Sequence, residues 1–432
     1  MREIILGEAV EKKAGGPFFS FKYGGKRLVF APKRNRLFLL EKGEHLPESG
    51  KVPDKCKELQ AMDLLEGCCR PPNYGGITFL LNTTCNLGCL YCYADKGNVR
   101  QSGIMLNKAK AFSAIDFVRE RFPEGKKEFD IFFHGRGEPT LELGLMESIL
   151  GYSRKKFKKV NVSLISNGVF GKKALDWILK NADSLAVSCC GLPEIQDRLR
   201  PLRSGGPSSK IVEKNLKALV GAGKKVSIKC YLDSEATQRM DEIVEYFSTL
   251  GVATLFLAPI SETACSEKHG VEKPEMGEFQ KRLLQAIELA DRRDLMVQSS
   301  ILQVGEIKHI PCGVLWPQIV VTPSGNISAC NSLITLDDLR FYYGKIGKEI
   351  VLDFEKVGKW RKELNPEKIC KGCFLRWSCA GGCYARECIK EKGHYRLDRK
   401  LCRLKRDTAI KYFKYLVSKE CNEGQKRRPL VS

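Results

Sequence analysis

The 432-residue chain has no apolar run approaching the ~20 residues of a membrane span, which sets aside a helical membrane protein. Its opening, Met1 to Val10, has no long apolar core before charge resumes, so no secretory signal is expected. The net charge of +22 comes without a nucleic-acid-binding motif. Basic residues are spread along the chain, with short clusters at Lys155-Lys156, Lys158-Lys159 and Lys426-Arg427-Arg428 that read as solvated helix faces or tail. Such a surface suits nucleic-acid phosphates, or an acidic peptide, or plain solubility. Cysteine is the opposite case, with 19 residues. Without signal or span the cytoplasm is expected, and in a reducing compartment clustered cysteines read as metal ligands rather than disulfides.

The densest group is Cys85-Asn86-Leu87-Gly88-Cys89-Leu90-Tyr91-Cys92, spaced C-x3-C-x2-C. It follows the apolar run Ile77 to Leu81, which reads as a buried strand. Three thiolates on one loop can hold three corners of an iron–sulfur cubane and leave one iron open to a reactive ligand. The alternative is a zinc site, but structural zinc prefers two separated ligand pairs and a closed shell.

From Gly76 to about Pro259 strands alternate with helical patterns. The strands are Ile77–Leu81, Phe129–Phe133, Val160–Ile165, Ser184–Ser188, Val226–Leu232 and Val252–Ala258. Asn107 is placed to cap the first helix, and Leu141 to Phe157, Lys172 to Lys180, Ser209 to Leu219 and Thr237 to Leu250 supply the others. The expected fold class is α/β: a partial six-unit (β/α)6 TIM-like barrel, flanked by a small N-terminal α+β segment and a C-terminal Cys-rich auxiliary domain. Chemistry in such folds gathers where strands end, and the three thiols lie at the end of the first one.

Residues 1–75 are expected to form a strand-and-helix segment, a lid or a peptide-docking module. Strands are expected around Phe18 to Phe21, Lys26 to Phe30 and Arg36 to Leu40, and a helix from Asp54 to Leu65. Cys68-Cys69 is read as structural. The barrel is assigned to 76–260, a connector to 261–311, the auxiliary domain to 312–402, and a closing helix with a basic tail to 403–432. The auxiliary domain holds Cys312 and Cys330, spaced C-x12-G-x4-C through Gly325. Cys370, Cys373, Cys379 and Cys383 follow as C-x2-C-x5-C-x3-C, and Cys402 closes the set. Seven thiols so arranged suggest two further iron–sulfur clusters.

Together these motifs resemble the radical S-adenosylmethionine superfamily, with Tyr91 in the aromatic position of its three-cysteine signature. The seven later cysteines resemble the SPASM extension of its peptide- and protein-modifying members. The resemblance covers about 76–402 and implies a [4Fe-4S] cluster on Cys85, Cys89 and Cys92 whose open iron chelates S-adenosylmethionine (AdoMet). One electron, from a donor such as ferredoxin or flavodoxin, would then give a 5′-deoxyadenosyl radical that takes hydrogen from a substrate. Gly135-Arg136-Gly137-Glu138-Pro139 resembles the family's Gly-Gly-Glu-Pro element at the methionine amino group. Arg136 departs from it, while Gly137, Glu138 and Pro139 keep it. Ser166-Asn167-Gly168 resembles the segment along the nucleoside side, and Ser188 stands where the family contacts the carboxylate or ribose. Two auxiliary [4Fe-4S] clusters are implied, one on Cys312, Cys330 and Cys383, the other on Cys370, Cys373, Cys379 and Cys402.

Three departures bear on the reaction. Cys190, in Ser188-Cys189-Cys190-Gly191, replaces an aspartate of the peptide-modifying pattern, as a packing residue or as a thiol that meets substrate. The recognisable stretch Pro193 to Arg200 follows. Asn331 stands where sulfatase-maturating relatives carry a basic aspartate, and a carboxamide cannot act as that base. The first auxiliary set has one ligand too few: its cluster has an open iron that binds substrate, or Cys388 completes it, or the cluster is of another type. The expectation is an enzyme that modifies a peptide or protein by cross-linking, epimerisation or oxidation, with Cys190 and Asn331 as candidate catalytic residues. Modification of RNA, and electron transfer without catalysis, are the rivals.

Overall fold

The computed structural model describes residues 2–5, 19–23, 26–31, 36–40, 75–92, 94, 103–121, 128–304, 312, 314–315, 318–331, 341–365, 369–384, 388–391 and 394–426. The chain divides into two compact units, Pro72–Ser300 with Trp316–Trp360, and Met1–Pro71 with Ile301–Leu315 and Arg361–Ser432.

The larger unit is built on one sheet. Its strands in chain order are β1 (Gly76–Leu80), β2 (Glu128–His134), β3 (Lys159–Ser166), β4 (Ser184–Ser188), β5 (Val226–Leu232), β6 (Thr254–Pro259), β7 (Met296–Ser299), β8 (Ile319–Val321), β9 (Asn326–Ser328), β10 (Tyr342–Ile346) and β11 (Ile350–Leu352). The spatial order is β7-β6-β5-β4-β3-β2-β1-β8-β9-β10-β11. Every pairing from β7 to β8 is parallel, and the last three strands add on antiparallel. The six expected strands are all present, but the parallel run has one more strand on each flank. β7 lies inside the stretch read as a connector, and β8 inside the stretch assigned to the auxiliary domain. Both are only three or four residues long, too short to carry a periodic signal.

Helices α1 (Lys108–Arg121), α2 (Leu143–Lys156), α3 (Lys172–Asn181), α4 (Pro193–Leu199) and α5 (Ser209–Gly221) lie in the intervals between β1 and β5. Asn107 caps α1 as its position suggests, its Oδ1 accepting from the Ala109 amide at 2.8 Å. Phe129 stacks on Phe157 at 4.2 Å, tying the start of β2 to the end of α2. Strand alternation divides the sheet into two unlike faces. On β5, Val226, Ile228, Cys230 and Leu232 are buried, while Ser227, Lys229 and Tyr231 are half-buried. On β2, Phe129, Ile131 and Phe133 are buried and Phe132 is 45% exposed. A doubly covered parallel sheet buries both faces; here the second face stays accessible, as the inside of an open barrel does.

In the smaller unit an antiparallel sheet pairs Arg2–Ile5, Phe19–Tyr23, Lys26–Ala31 and Arg36–Leu40. The expected hairpin and third strand are present, with a further strand at Arg2–Ile5. Leu28, Phe30 and Leu37 form a core with Phe374 and Leu375 and with Ala409, Phe413 and Val417 of the helix Arg399–Lys426. The helix expected from Asp54 to Leu65 and the Cys68-Cys69 pair lie outside the described residues. Among the described residues no helix is long and apolar enough to cross a membrane.

Candidate radical site

The loop after β1 carries Cys85, Cys89 and Cys92 at the carboxyl end of the sheet. Its backbone is fixed from several sides. Gly88 N donates to Pro201 O at 2.9 Å, Leu90 N to Leu199 O at 3.0 Å, and the Arg203 amide to Asn86 O at 2.9 Å. Burial pushes the Cys85 thiol up to about 11 and the Cys92 thiol up to about 12, and Cys89 also rises. Cys89 and Cys85 each add to the rise at Cys92, so the three sulfurs are near enough to sense one another. Thiols held this way are neutral at pH 7, and metal would displace their protons on binding. Among the described residues no three His, Cys, Asp or Glu side chains converge on a single metal ion. Three thiols spaced along one loop suit a cubane, which spreads its cysteines over separate irons.

The β2 loop, Gly135 to Pro139, is locked against that first loop. Gly137 N donates to Asn82 O at 3.2 Å and Glu138 N to Thr84 O at 2.8 Å. A Cβ on Gly137 would stand 1.8 Å from Thr84 O, so the backbones meet where no side chain fits. Arg136, the departure from the Gly-Gly-Glu-Pro pattern, reaches Ala94 O with Nη2 at 3.4 Å.

Glu138 is 2% exposed and turned inward. Its Oε1 accepts from Ser166 Oγ and Thr140 Oγ1 at 2.8 Å each and from Thr140 N at 3.2 Å. Its Oε2 accepts from Asn167 N at 2.8 Å. Burial outweighs these bonds and holds the carboxyl above its usual range. One side chain thus ties the β2 loop to Ser166-Asn167-Gly168 at the end of β3. Asn167 passes the tie onward, its Nδ2 donating to Asn86 Oδ1 at 2.7 Å and lying 3.6 Å from Cys85 Sγ. Gly168, at φ +82°, lets the chain turn away. The sequence-derived residues Glu138, Ser166, Asn167 and Cys85 therefore meet. Ser188, the last residue of β4, lies half-buried on the open face.

Beyond β4, Cys190 is fully buried, and its sulfur is 3.0 Å from the Tyr91 hydroxyl. It offers no surface to a substrate in this structure. Its amide donates to Gln196 Oε1 at 2.9 Å. The Tyr91 oxygen also accepts from Arg200 Nη1 at 3.0 Å. The contacts of Arg200 and Asn86 were not evident from sequence, because they depend on the 199–203 segment lying beside the thiol loop, with Leu87 bridging to Leu202; those of Asn82 depend on the β2 loop. Cys265, another unforeseen neighbour, points its thiol at Cys89 O from 3.6 Å.

In the smaller unit Cys370, Cys373, Cys379 and Cys402 come together: the charges of the other three each raise Cys370, which burial pushes up to about 12. Cys312 and Cys383 belong to this unit, Cys330 and Asn331 to the larger one. Nothing is described for the Cys388 side chain.

Residues 80–247 match the family model for the Radical SAM superfamily. An uncharacterized protein of Methanocaldococcus jannaschii is 27% identical over 202 residues, 46% of this chain and 66% of that protein. The chain thus spans just under two thirds of that relative. Among solved structures, native anSMEcpe with bound AdoMet superposes with a TM-score of 0.64 at 19% identity, covering 80% of this chain and 99% of that one. SuiB of Streptococcus suis bound to its precursor peptide SuiA gives a TM-score of 0.56 at 17% identity, covering 77% and 76%. At these identities the likeness establishes the fold.

Proposed function

We propose that the protein is a radical AdoMet enzyme that modifies a residue of a peptide or protein. The observation that carries this reading is the meeting, at the carboxyl ends of β1, β2 and β3, of a three-thiol loop with Glu138, Ser166 and Asn167. Cys85, Cys89 and Cys92 would hold a [4Fe-4S] cluster. Gly137, Glu138, Pro139, Ser166, Asn167, Ser188 and Tyr91 would shape the adjoining AdoMet site. When bound, cluster and AdoMet supply one-electron cleavage of a sulfonium to a carbon radical.

The chain's own part is positional. Gly137 lets the β2 and β1 loops touch. Glu138 fixes the Ser166–Asn167 turn, and Asn167 fixes Asn86 and Cys85. The half-buried side chains of β4 to β6 line the open face of the sheet. Cys370, Cys373, Cys379 and Cys402 would hold one auxiliary cluster. The peptide class is supported by SuiB, solved with a precursor peptide on the same fold, and by the net charge of +22, which suits an acidic partner.

Protein loaded anaerobically with iron and sulfide, then given dithionite and AdoMet, is expected to release 5′-deoxyadenosine and methionine. The variant with Cys85, Cys89 and Cys92 changed to Ala is expected to release none. Absence of product from fully loaded wild type, or equal product from the variant, overturns the reading.

A further inference from the structure

Alternation along β5 turns Ser227, Lys229 and Tyr231 to the open face of the sheet, while Val226, Ile228, Cys230 and Leu232 are buried. Lys229 is the fourth of the seven residues of β5, so it stands in mid-strand and not at the rim. It pairs with Ser188 of β4 on one side and Phe256 of β6 on the other, both half-buried as it is. Its Nζ stands 4.4 Å from the centre of the Phe256 ring. Among the described residues it has no hydrogen bond and no carboxylate partner. Burial lowers its pKa from the ordinary lysine value, and no neighbouring charge opposes that. The other described residues that β4, β5 and β6 turn to this face include Ala186, Ser188, Ser227, Tyr231, Thr254 and Phe256, and none of them carries a charge.

A long lysine stem often lies on apolar surface while its ammonium reaches water. Here the ammonium itself lies over a ring, and a ring face attracts a cation without neutralising it. The position is close to the thiol loop: the Tyr231 ring is 6.5 Å from that of Phe256 and 6.2 Å from that of Tyr91. It is also apart from the Ser166–Asn167 turn. The ammonium sits over β6, three strand spacings from β3, about 14 Å along the sheet. One ammonium on a face with no other charge matches one negative charge. A phosphate carries nearly two and is met by clustered cations. The apolar ring beside it suits the methylenes of a carboxylate side chain. We propose that Lys229 is a substrate-binding residue that takes the carboxylate of an aspartate or glutamate in the peptide substrate, and so sets a preference for an acidic residue near the one that reacts. The proposal rests on the reading of the protein as a peptide-modifying enzyme; it adds one recognition contact to that reading.

The test pans a phage-displayed library of random short peptides against the full-length protein, loaded anaerobically with iron and sulfide and kept with AdoMet. Wild type is expected to enrich Asp or Glu over Asn or Gln at one peptide position by about tenfold or more. Lys229→Met keeps the stem on Phe256 and removes the charge; it is expected to lower that ratio about tenfold. Lys229→Arg is expected to keep the preference, and Lys229→Glu to select Lys or Arg at the same position. Lys210→Met, at an exposed lysine, controls for overall charge and is expected to match wild type. The affinity of Lys229→Met for AdoMet is expected to match wild type as well. An acidic preference that survives in Lys229→Met overturns the proposal, as does a wild type that enriches peptides without one. Weakened AdoMet binding as the sole effect of Lys229→Met assigns the lysine to AdoMet and overturns it too. So does enrichment from a random RNA pool, in place of peptides, that depends on Lys229. If Lys229→Met loads no iron, the Arg and Glu variants decide: opposite charge preferences uphold the contact, and a shared preference overturns it. Wild type that releases 5′-deoxyadenosine yet enriches no peptide contradicts the peptide reading itself, a different outcome from peptides whose charge ignores Lys229.

Discussion

Glu138→Ala tests whether one buried carboxylate holds the site together. The change removes four accepted hydrogen bonds at once, from Ser166 Oγ, Thr140 Oγ1, Thr140 N and Asn167 N. The two hydroxyls can rotate to other partners. The two amides cannot, and each buried unsatisfied donor costs about 1–3 kcal/mol. Relief from burying the carboxyl offsets part of this, leaving a net loss of about 2–4 kcal/mol. Glu138→Gln keeps an oxygen for the three donors at Oε1 but turns an NH2 toward the Asn167 amide, one lost bond worth about 1–2 kcal/mol. The measurement is urea unfolding of the metal-free protein followed by far-UV circular dichroism, compared at the transition midpoints. Alanine is expected to destabilise more than glutamine, and both more than a surface change. A Glu138→Ala midpoint equivalent to less than about 0.5 kcal/mol, the range of an unremarkable surface substitution, refutes the hub.

Other consequences follow from the same geometry. Gly137→Ala places a methyl 1.8 Å from Thr84 O, so the β1 and β2 loops separate; a loss of about 2–3 kcal/mol by urea unfolding is expected, with lower iron retention at the three-thiol loop. Burial lifts the Glu138 carboxyl above its ordinary value of 4.5, so between that value and the raised one the unfolded chain binds fewer protons than the folded chain. Wild-type stability is then expected to fall as pH rises through this window, and Glu138→Gln to lack that fall; parallel pH profiles refute it. Changing Cys370, Cys373, Cys379 and Cys402 together to Ala is expected to lower bound iron by about four atoms per chain while the Cys85-dependent signal persists. Unchanged iron removes that cluster from the account.

The sequence made the candidate ligand loop legible because cysteine spacing and strand ends are local features. Ser184–Ser188 and Val226–Leu232 have the same bounds in the structure, each a short apolar-rich run between helical patterns. What escaped was non-local. β7 and β8 are strands only because β6 and β1 offer free edges to pair with, and no periodicity of three or four residues announces that. The same holds in the site. Glu138 is legible as part of a motif, but its four donors come from residues 140, 166 and 167, and only the folded sheet brings them to it. Arg200 is legible only as the end of the recognisable stretch Pro193 to Arg200, in a chain with 73 Lys and Arg. Its distinction is burial without a carboxylate, which no sequence pattern encodes. Cys190 shows the converse: sequence left it between packing and chemistry, and the structure turns it to Tyr91, away from solvent.

The central claim is that the Cys85–Cys92 loop holds a cluster with an iron open to AdoMet. Electron paramagnetic resonance of the dithionite-reduced, fully loaded protein, before and after adding AdoMet, tests it most directly. The account predicts that AdoMet changes the signal of one cluster, the one lost in the Cys85→Ala, Cys89→Ala, Cys92→Ala variant, and leaves the signals that depend on Cys370 and Cys402 as they were. A spectrum unmoved by AdoMet, or a change that survives in the triple variant, would contradict it.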